Sequence, residues 1–215
     1  MKEFSDKLLS FYIKEYAGIN LTRITEPEEF YQKQIYDSTY PFQNIKFLTE
    51  ESKKFSLMLD VGFGGGFPLI PLAKIFPDKK ILGVDARAKK GKAVQGISEL
   101  AGLSNVKCFH GRIEEVLIDL SCLITFKAVG PIVEFLNKLN IVDGIDVMVV
   151  FYKGPNTREL EEVPSNLNNF RLAYSQEFEI FGNGRSIYCY KFNKNVPRGT
   201  KKNKNKIVVK ISKFA

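Results

Sequence analysis

The sequence predicts an α/β protein, a doubly wound and mostly parallel sheet of seven strands behind an N-terminal helical cap. Three observations carry that expectation. Short apolar runs alternate with helical patterns from Phe55 onward. A glycine-rich stretch lies where the first of those runs passes into a helix. Near the end, two long strand-like runs flank turn residues, so an antiparallel hairpin closes the sheet.

Residues 3–16 set Phe4, Leu8, Phe11, Tyr12 and Tyr16 at helical spacing, which predicts a short amphipathic helix. Asn20-Leu21-Thr22 interrupts it. Pro27, followed by Glu28 and Glu29, then opens a second helix through Tyr31 and Ile35. Residues 1–55 therefore read as a cap without strands. Strands are expected at SLMLDV (56–61), ILGVDA (81–86), NVKCFH (105–110), CLITFKAV (122–129) and DVMVVFY (146–152). Helical patterns near 67–76, 88–101, 112–119, 131–140 and 156–162 separate or follow them. The closing hairpin pairs 170–181 with 185–192, and Asn183-Gly184 supplies its turn. The sheet domain thus spans 56–195, and 196–215 reads as a basic arm.

A chain of 215 residues, 44% of them hydrophobic, has material for one full core and a small addition. No stretch of membrane-spanning length is free of charge, and Leu57 to Ala73, the most apolar, holds Asp60 and two prolines. The opening MKEFSDKLLSFYIK has acids in its first turn and no apolar centre, so it is not expected to be a signal peptide. Cys108, Cys122 and Cys189 form no paired motif, and His110 is the sole histidine, which excludes a disulfide framework and a metal cluster. A monomer in a reducing cytoplasm is the expectation. Seven of the 32 Lys/Arg residues follow residue 197 with no acid among them, leaving 25 basic against 24 acidic residues before it. Lys79 to Lys92 holds six more basic residues against one acid. A near-neutral body with concentrated cationic segments suits a polyanion such as nucleic acid.

The sharpest motif is Asp60-Val61-Gly62-Phe63-Gly64-Gly65-Gly66-Phe67. Gly62, Gly64 and Gly66 let a backbone turn tightly beside a ligand. Asp85 ends the next strand, at the position where an acid accepts the hydroxyls of a ribose. A dinucleotide fingerprint needs its third glycine where this chain has Phe67, and no Lys-Ser/Thr pair marks a P-loop. An adenosyl group with a methionine tail suits the tighter loop, with Asp60 placed for the ammonium of that tail. This layout resembles the common fold of S-adenosylmethionine-dependent methyltransferases. Two acceptor chemistries are then disfavoured. No adjacent prolines mark transfer to an exocyclic amine, and no Pro-Cys pair marks covalent attack on a pyrimidine. An acceptor with a free lone pair, such as guanine N7, needs only alignment with the methyl.

From Asn20 to the C-terminus the chain resembles the RsmG (GidB) family, methyltransferases that form N7-methylguanosine in 16S ribosomal RNA. The shared stretches are Asn20-Leu21-Thr22, Ile35-x-Asp37-Ser38, the glycine loop through Ala73, and Asp85 with Lys89-Lys90. Further on come Gly111 to Glu115, Lys153-Gly154, Arg185, and Val196 to Lys202. The resemblance implies S-adenosylmethionine as cofactor and 16S RNA or the 30S subunit as partner. It implies a methionine end lined by Gly62 and Phe67 and an adenine flanked by Ile113 and Glu114. Lys127 falls in the cofactor site, as a pocket residue between cofactor and base. Lys89, Lys90, Lys153, Arg185, Arg198, Lys201 and Lys202 would meet phosphates. The chain has Gln34 where the family usually has histidine, Lys127 where it has arginine, and Leu69 where it has glycine. Three other readings compete: a non-catalytic RNA-binding protein of this fold, a nicotinamide-dependent oxidoreductase, and a methyltransferase acting on a small molecule or protein.

Overall fold

The protein is described here by a computed structural model covering residues 1–193 and 209–215. In chain order its strands are β1 (Leu57–Val61), β2 (Lys80–Asp85), β3 (Val106–His110), β4 (Val116–Ile118), β5 (Cys122–Lys127) and β6 (Asn140–Ile141). They continue as β7 (Val147–Lys153), β8 (Asn166–Leu167), β9 (Phe170–Ile180), β10 (Asn183–Phe192) and β11 (Val209–Lys210). The main sheet runs β3-β2-β1-β5-β7-β10-β9-β8. The first five are parallel and the last three antiparallel, so all seven expected strands are present and β8 adds a two-residue edge.

The helices are α1 (Lys2–Ser10), α2 (Pro27–Phe30), α3 (Asp37–Asn44), α4 (Lys46–Ser52), α5 (Leu69–Ile75), α6 (Ala88–Leu100), α7 (Ile132–Lys138) and α8 (Thr157–Leu160). The first 55 residues hold no strand. Here α1 and α2 each widen into a π-helical turn, at Phe11–Glu15 and Tyr31–Tyr36. Strand alternation divides the interior into two cores. Met58, Leu123, Met148, Val150 and Ile187 face the cap with α5 and α6, while Leu59, Ile124, Val149 and Tyr188 face α7 and β4.

Two local expectations are corrected. The stretch 112–119 is not a helix. It forms a single 3-10 turn at Ile113–Glu115 and then β4. The β-branched Val116 and Ile118 are completely buried, and β4 pairs with β6 and β11, partners that no local pattern reveals. The hairpin turn lies on Phe181-Gly182, both in the left-handed region (φ 49° and 73°), rather than on Asn183-Gly184. Residues 209–215, the end of the stretch read as a basic arm, pack on the domain. Ile211 is completely buried, Ser212 donates its backbone and hydroxyl hydrogens to Asp119 (3.0 and 2.6 Å), and Phe214 stacks on Phe109 at 4.3 Å. Removing the Ile211 side chain opens a cavity in a closed core. Ile211→Ala is expected to cost about 2–5 kcal/mol, read as a lower urea midpoint with an unchanged m-value.

Candidate functional site

The carboxyl ends of β1 and β2 and the loop after β5 meet at the loop 62–68. Gly62, Gly64 and Gly66 all have positive φ, at 70°, 55° and 97°. Gly62 N–H donates to the Val84 carbonyl (2.8 Å) and Gly64 N–H to Asp85 Oδ2 (2.9 Å). A Cβ on Gly62 would lie 2.7 Å from Val129 Cγ1, so the loop after β5 closes against it. Gly65 lies under the cap. A Cβ there would stand 2.3 Å from the Leu21 carbonyl oxygen, and the Tyr12 hydroxyl donates to the Gly65 carbonyl at 2.5 Å.

Asp85 anchors the neighbouring edge. Its Oδ1 accepts from Arg87 N–H (2.8 Å), which leaves free lone pairs on both oxygens. Gly111 N–H bonds to the Asp85 carbonyl (3.1 Å) and His110 Nε2 lies 3.2 Å from the Ala86 carbonyl, so the ends of β2 and β3 form one rim. Ile113 is buried beside it and Glu114 is half-buried. Asp85, the glycine loop and Ile113-Glu114 therefore lie along one continuous edge, an arrangement that fits a nucleoside.

Asp60 is placed differently from expectation. It is 2% exposed, and its carboxylate accepts from Thr125 Oγ1 (2.8 Å) and Leu69 N–H (3.0 Å). It thus ties β1 to β5 and caps α5, and burial raises its pKa to about 7. Phe67 also turns inward, stacked on Tyr12 (5.7 Å) and edge-on to Phe30 (5.6 Å), so its ring belongs to the cap.

Beside this loop is a cavity of about 340 Å³ whose walls include Gln34, Asp37, Lys127, Tyr152, Phe178 and Arg185. Asp37 is its centre. One oxygen takes Lys127 Nζ (2.8 Å) and the other Arg185 Nε (2.6 Å). Lys127 also donates to Ser38 Oγ (3.1 Å) and the Lys33 carbonyl (3.3 Å), and Tyr152 donates to the Ser38 carbonyl (2.8 Å). Burial pulls the Lys127 amine below its usual range while Asp37 opposes that effect. Strand alternation puts Lys127, Tyr152 and Arg185 on the cap side, where the wide turn before α3 delivers Asp37. The sequence marks Asp37-Ser38 as a shared stretch but gives no sign that three strands converge on it. Ala128, beside Lys127, holds a left-handed backbone (φ 56°).

The expected phosphate contacts divide. Lys153 is committed to Glu161 and the Gly130 carbonyl (2.6 Å), and Arg185 to Asp37, so both shape loops. Lys90 lines a groove with Arg23 and Arg87, two residues missing from the expected contacts, and Lys89 is exposed nearby. These four cations and Lys92 form no ion pair among the described residues. Arg198, Lys201 and Lys202 lie outside the described residues. Burial drives all three thiols up, Cys108 to about 12, which removes a thiolate nucleophile. Among the described residues no group of His, Cys, Asp and Glu is arranged to hold a metal ion, and no helix is long and apolar enough to cross a membrane.

The sequence model of the family described as rRNA small subunit methyltransferase G, GidB, matches residues 4–186. The chain belongs to this family. The methyltransferase G of Streptococcus pyogenes serotype M12 (strain MGAS2096) is 37% identical over 114 residues, 53% of this chain and 46% of that protein. That of serotype M6 (strain ATCC BAA-946 / MGAS10394) is 36% identical over 128 residues, 60% and 52% of the two chains. The match thus spans about half the length of these relatives. In fold the protein is similar to the StiE O-MT domain (TM-score 0.55, 12% identity, 86% of this chain and 82% of that one). A putative O-methyltransferase from Klebsiella pneumoniae is equally similar (TM-score 0.55, 14% identity, 88% and 90%). The architecture is therefore that of class I methyltransferases.

For this methyltransferase G family member, the departures have local explanations. Leu69 is buried, and its added bulk is met by Gly83, where a Cβ would lie 3.1 Å from Leu69 Cδ1. Gln34 lines the cavity beside Asp37. Asp60 gives a testable sign. In the native state it keeps its proton to about 7, whereas the unfolded chain releases it near 3.8. Between those values the native state binds more protons, so this group's stabilisation fades as pH rises and is flat outside that window. Asp60→Asn is expected to remove that slope from chemical denaturation measured across the same pH range.

Proposed function

We propose that the protein transfers a methyl group from S-adenosylmethionine to N7 of a guanosine in 16S ribosomal RNA, acting as a monomer in the cytoplasm. The observation that carries this reading is the Asp37–Lys127–Arg185 cavity, which is lined by Ala128, the neighbour of the Val129 that closes on Gly62, and whose one lining acid, Asp37, is paired with two cations. When bound, S-adenosylmethionine supplies an electrophilic methyl on a sulfonium. Asp85 would accept ribose hydroxyls, Ile113 and Glu114 would flank adenine, and the loop from Gly62 to Gly66 would admit the methionine end. Asp60 would act on that end through the α5 N-terminus and the loop it holds.

Guanine N7 carries its lone pair without losing a proton. As N7 bonds to the methyl, the carbon–sulfur bond breaks and its electrons stay on sulfur. The protein's task is then alignment and exclusion of water. Lys127 and Arg185 hold the walls of the cavity, and the ring of Phe178 supplies an apolar side. Arg23, Arg87, Lys89, Lys90 and Lys92 offer unpaired charge for phosphates further along the same edge.

The deciding assay is transfer of labelled methyl to 16S RNA and to 30S particles lacking N7 methylation, followed by nucleoside analysis. Label in N7-methylguanosine is expected; cofactor binding without label would overturn the assigned substrate. Gly62→Val places a branched side chain against Val129 at an unfavourable φ. It is expected to weaken S-adenosylmethionine binding at least about tenfold, or 1.4 kcal/mol, by calorimetry. Arg23→Ala combined with Lys90→Ala should leave cofactor affinity intact. It should flatten the salt dependence of RNA binding by about 1 to 2 in log–log slope.

A further inference from the structure

Four aromatic rings run from the cavity wall to the surface. Phe178, in the wall, stacks on Tyr40 (5.2 Å, 17°); Tyr40 meets Tyr36 (5.6 Å); Tyr36 meets Phe181 (5.1 Å). The row ends at the tip of the β9–β10 hairpin, where Phe181 remains 51% exposed. Left-handed positions in tight turns favour Asn, Asp or Gly, and a bulky residue with φ 49° carries strain. Asn183-Gly184, two residues on, has the composition such a turn prefers, yet the chain turns on Phe181. Backbone strain is spent here on holding one ring outward, backed by Tyr36.

The surroundings favour a nucleic acid base as occupant. The cavity is lined by Lys33, Lys127, Lys153 and Arg185 against Asp37, and even with Glu29 and Glu161 paired behind them the balance stays positive. The unpaired cations of the Arg23–Lys90 groove lie on the same edge of the sheet. The acids of the hairpin, Glu177 and Glu179, alternate with Phe178 and Ile180 along β9 and so point to the opposite face. Proteins that read single-stranded RNA splay bases onto exposed aromatic rings beside such cationic rims.

We propose that Phe181, supported by Tyr36, is a stacking platform for an unpaired base next to the target guanosine. This rests on the RNA reading above and assigns the site that holds the flanking nucleotide. A base stacked there would fix the backbone beside the target guanosine, so the cavity receives its substrate from a held strand.

The test uses the full chain and a short single-stranded RNA with one central guanosine among uridines. Phe181→Ala is expected to weaken binding of this RNA about tenfold, with S-adenosylmethionine affinity unchanged as the check on folding. Phe181→Trp should retain wild-type binding, while Phe181→Leu, apolar without a π face, should resemble the alanine variant. Abasic replacement of each uridine in turn adds a double-mutant cycle. One neighbour of the guanosine should cost the wild type that same factor and cost Phe181→Ala nothing further. Equal RNA binding by wild type and Phe181→Ala, or full binding by Phe181→Leu, would overturn the platform while leaving the RNA function standing. Failure of the wild type to bind this RNA would also overturn the platform, while the labelled-methyl assay on 16S RNA and 30S particles separately decides the function.

Discussion

The backbone between β1 and α5 is gripped from three directions, and the grip leaves no room for a side chain at Gly62 or Gly65. Asp85 holds Gly64 from β2, Leu21 and Tyr12 press on Gly65 from the cap, and Val129 closes on Gly62 from the loop after β5. Each contact comes from a different part of the chain, so the loop is where cap and sheet acquire a fixed relation. Asp60 reinforces it from beneath. A carboxylate taken out of water is costly unless its partners are fixed, and here a hydroxyl and a helix N–H both point at it. The edge that faces a ligand is thus set by groups behind it.

Asp37 plays a corresponding part on the cap side. Residues at the ends of β5, β7 and β10 reach one carboxylate and the serine beside it, so the cavity exists only when cap and sheet are together. This arrangement explains why a lysine serves at position 127. Its ammonium has three protons in a compact head, and they meet Asp37, Ser38 and the Lys33 carbonyl in three directions. A planar guanidinium would present its donors as a fork and match a different set of acceptors. The substitution therefore goes with its neighbours.

How much of this was legible in the sequence follows from the range of each interaction. The parallel strands, the glycine loop and Asp85 announce themselves because period, glycine spacing and strand ends are local properties. β4 did not, since Val116 to Ile118 becomes a strand only through β6 and the distant β11. The family resemblance puts Phe67 at the cofactor, but Tyr12 and Phe30, more than thirty residues upstream, draw its ring into the cap. The resemblance groups Lys153 with the phosphate contacts, whereas here it pairs with Glu161. Composition favours a hairpin turn on Asn183-Gly184, and packing against Tyr36 accompanies its shift to Phe181. Charge and turn type can be counted along a chain, whereas what meets them cannot.

The paired and unpaired cations divide the edge into two regimes. Near the cavity, Lys33, Lys127, Lys153 and Arg185 each meet an acid, so their charge is largely spent on shape. Over the start of α6, Arg23, Arg87, Lys89, Lys90 and Lys92 meet none among the described residues. Free surface charge attracts a polyanion without regard to its sequence and loses that attraction in salt. The Lys127, Lys153 and Arg185 pairs, largely withdrawn from solvent, are screened far less than the exposed Lys33–Glu29 pair and hold their geometry. For an RNA substrate, the first set supplies capture and the second supplies a cavity whose form does not depend on ionic strength. Affinity and selection can then change separately, because the residues that govern them share neither partners nor strands.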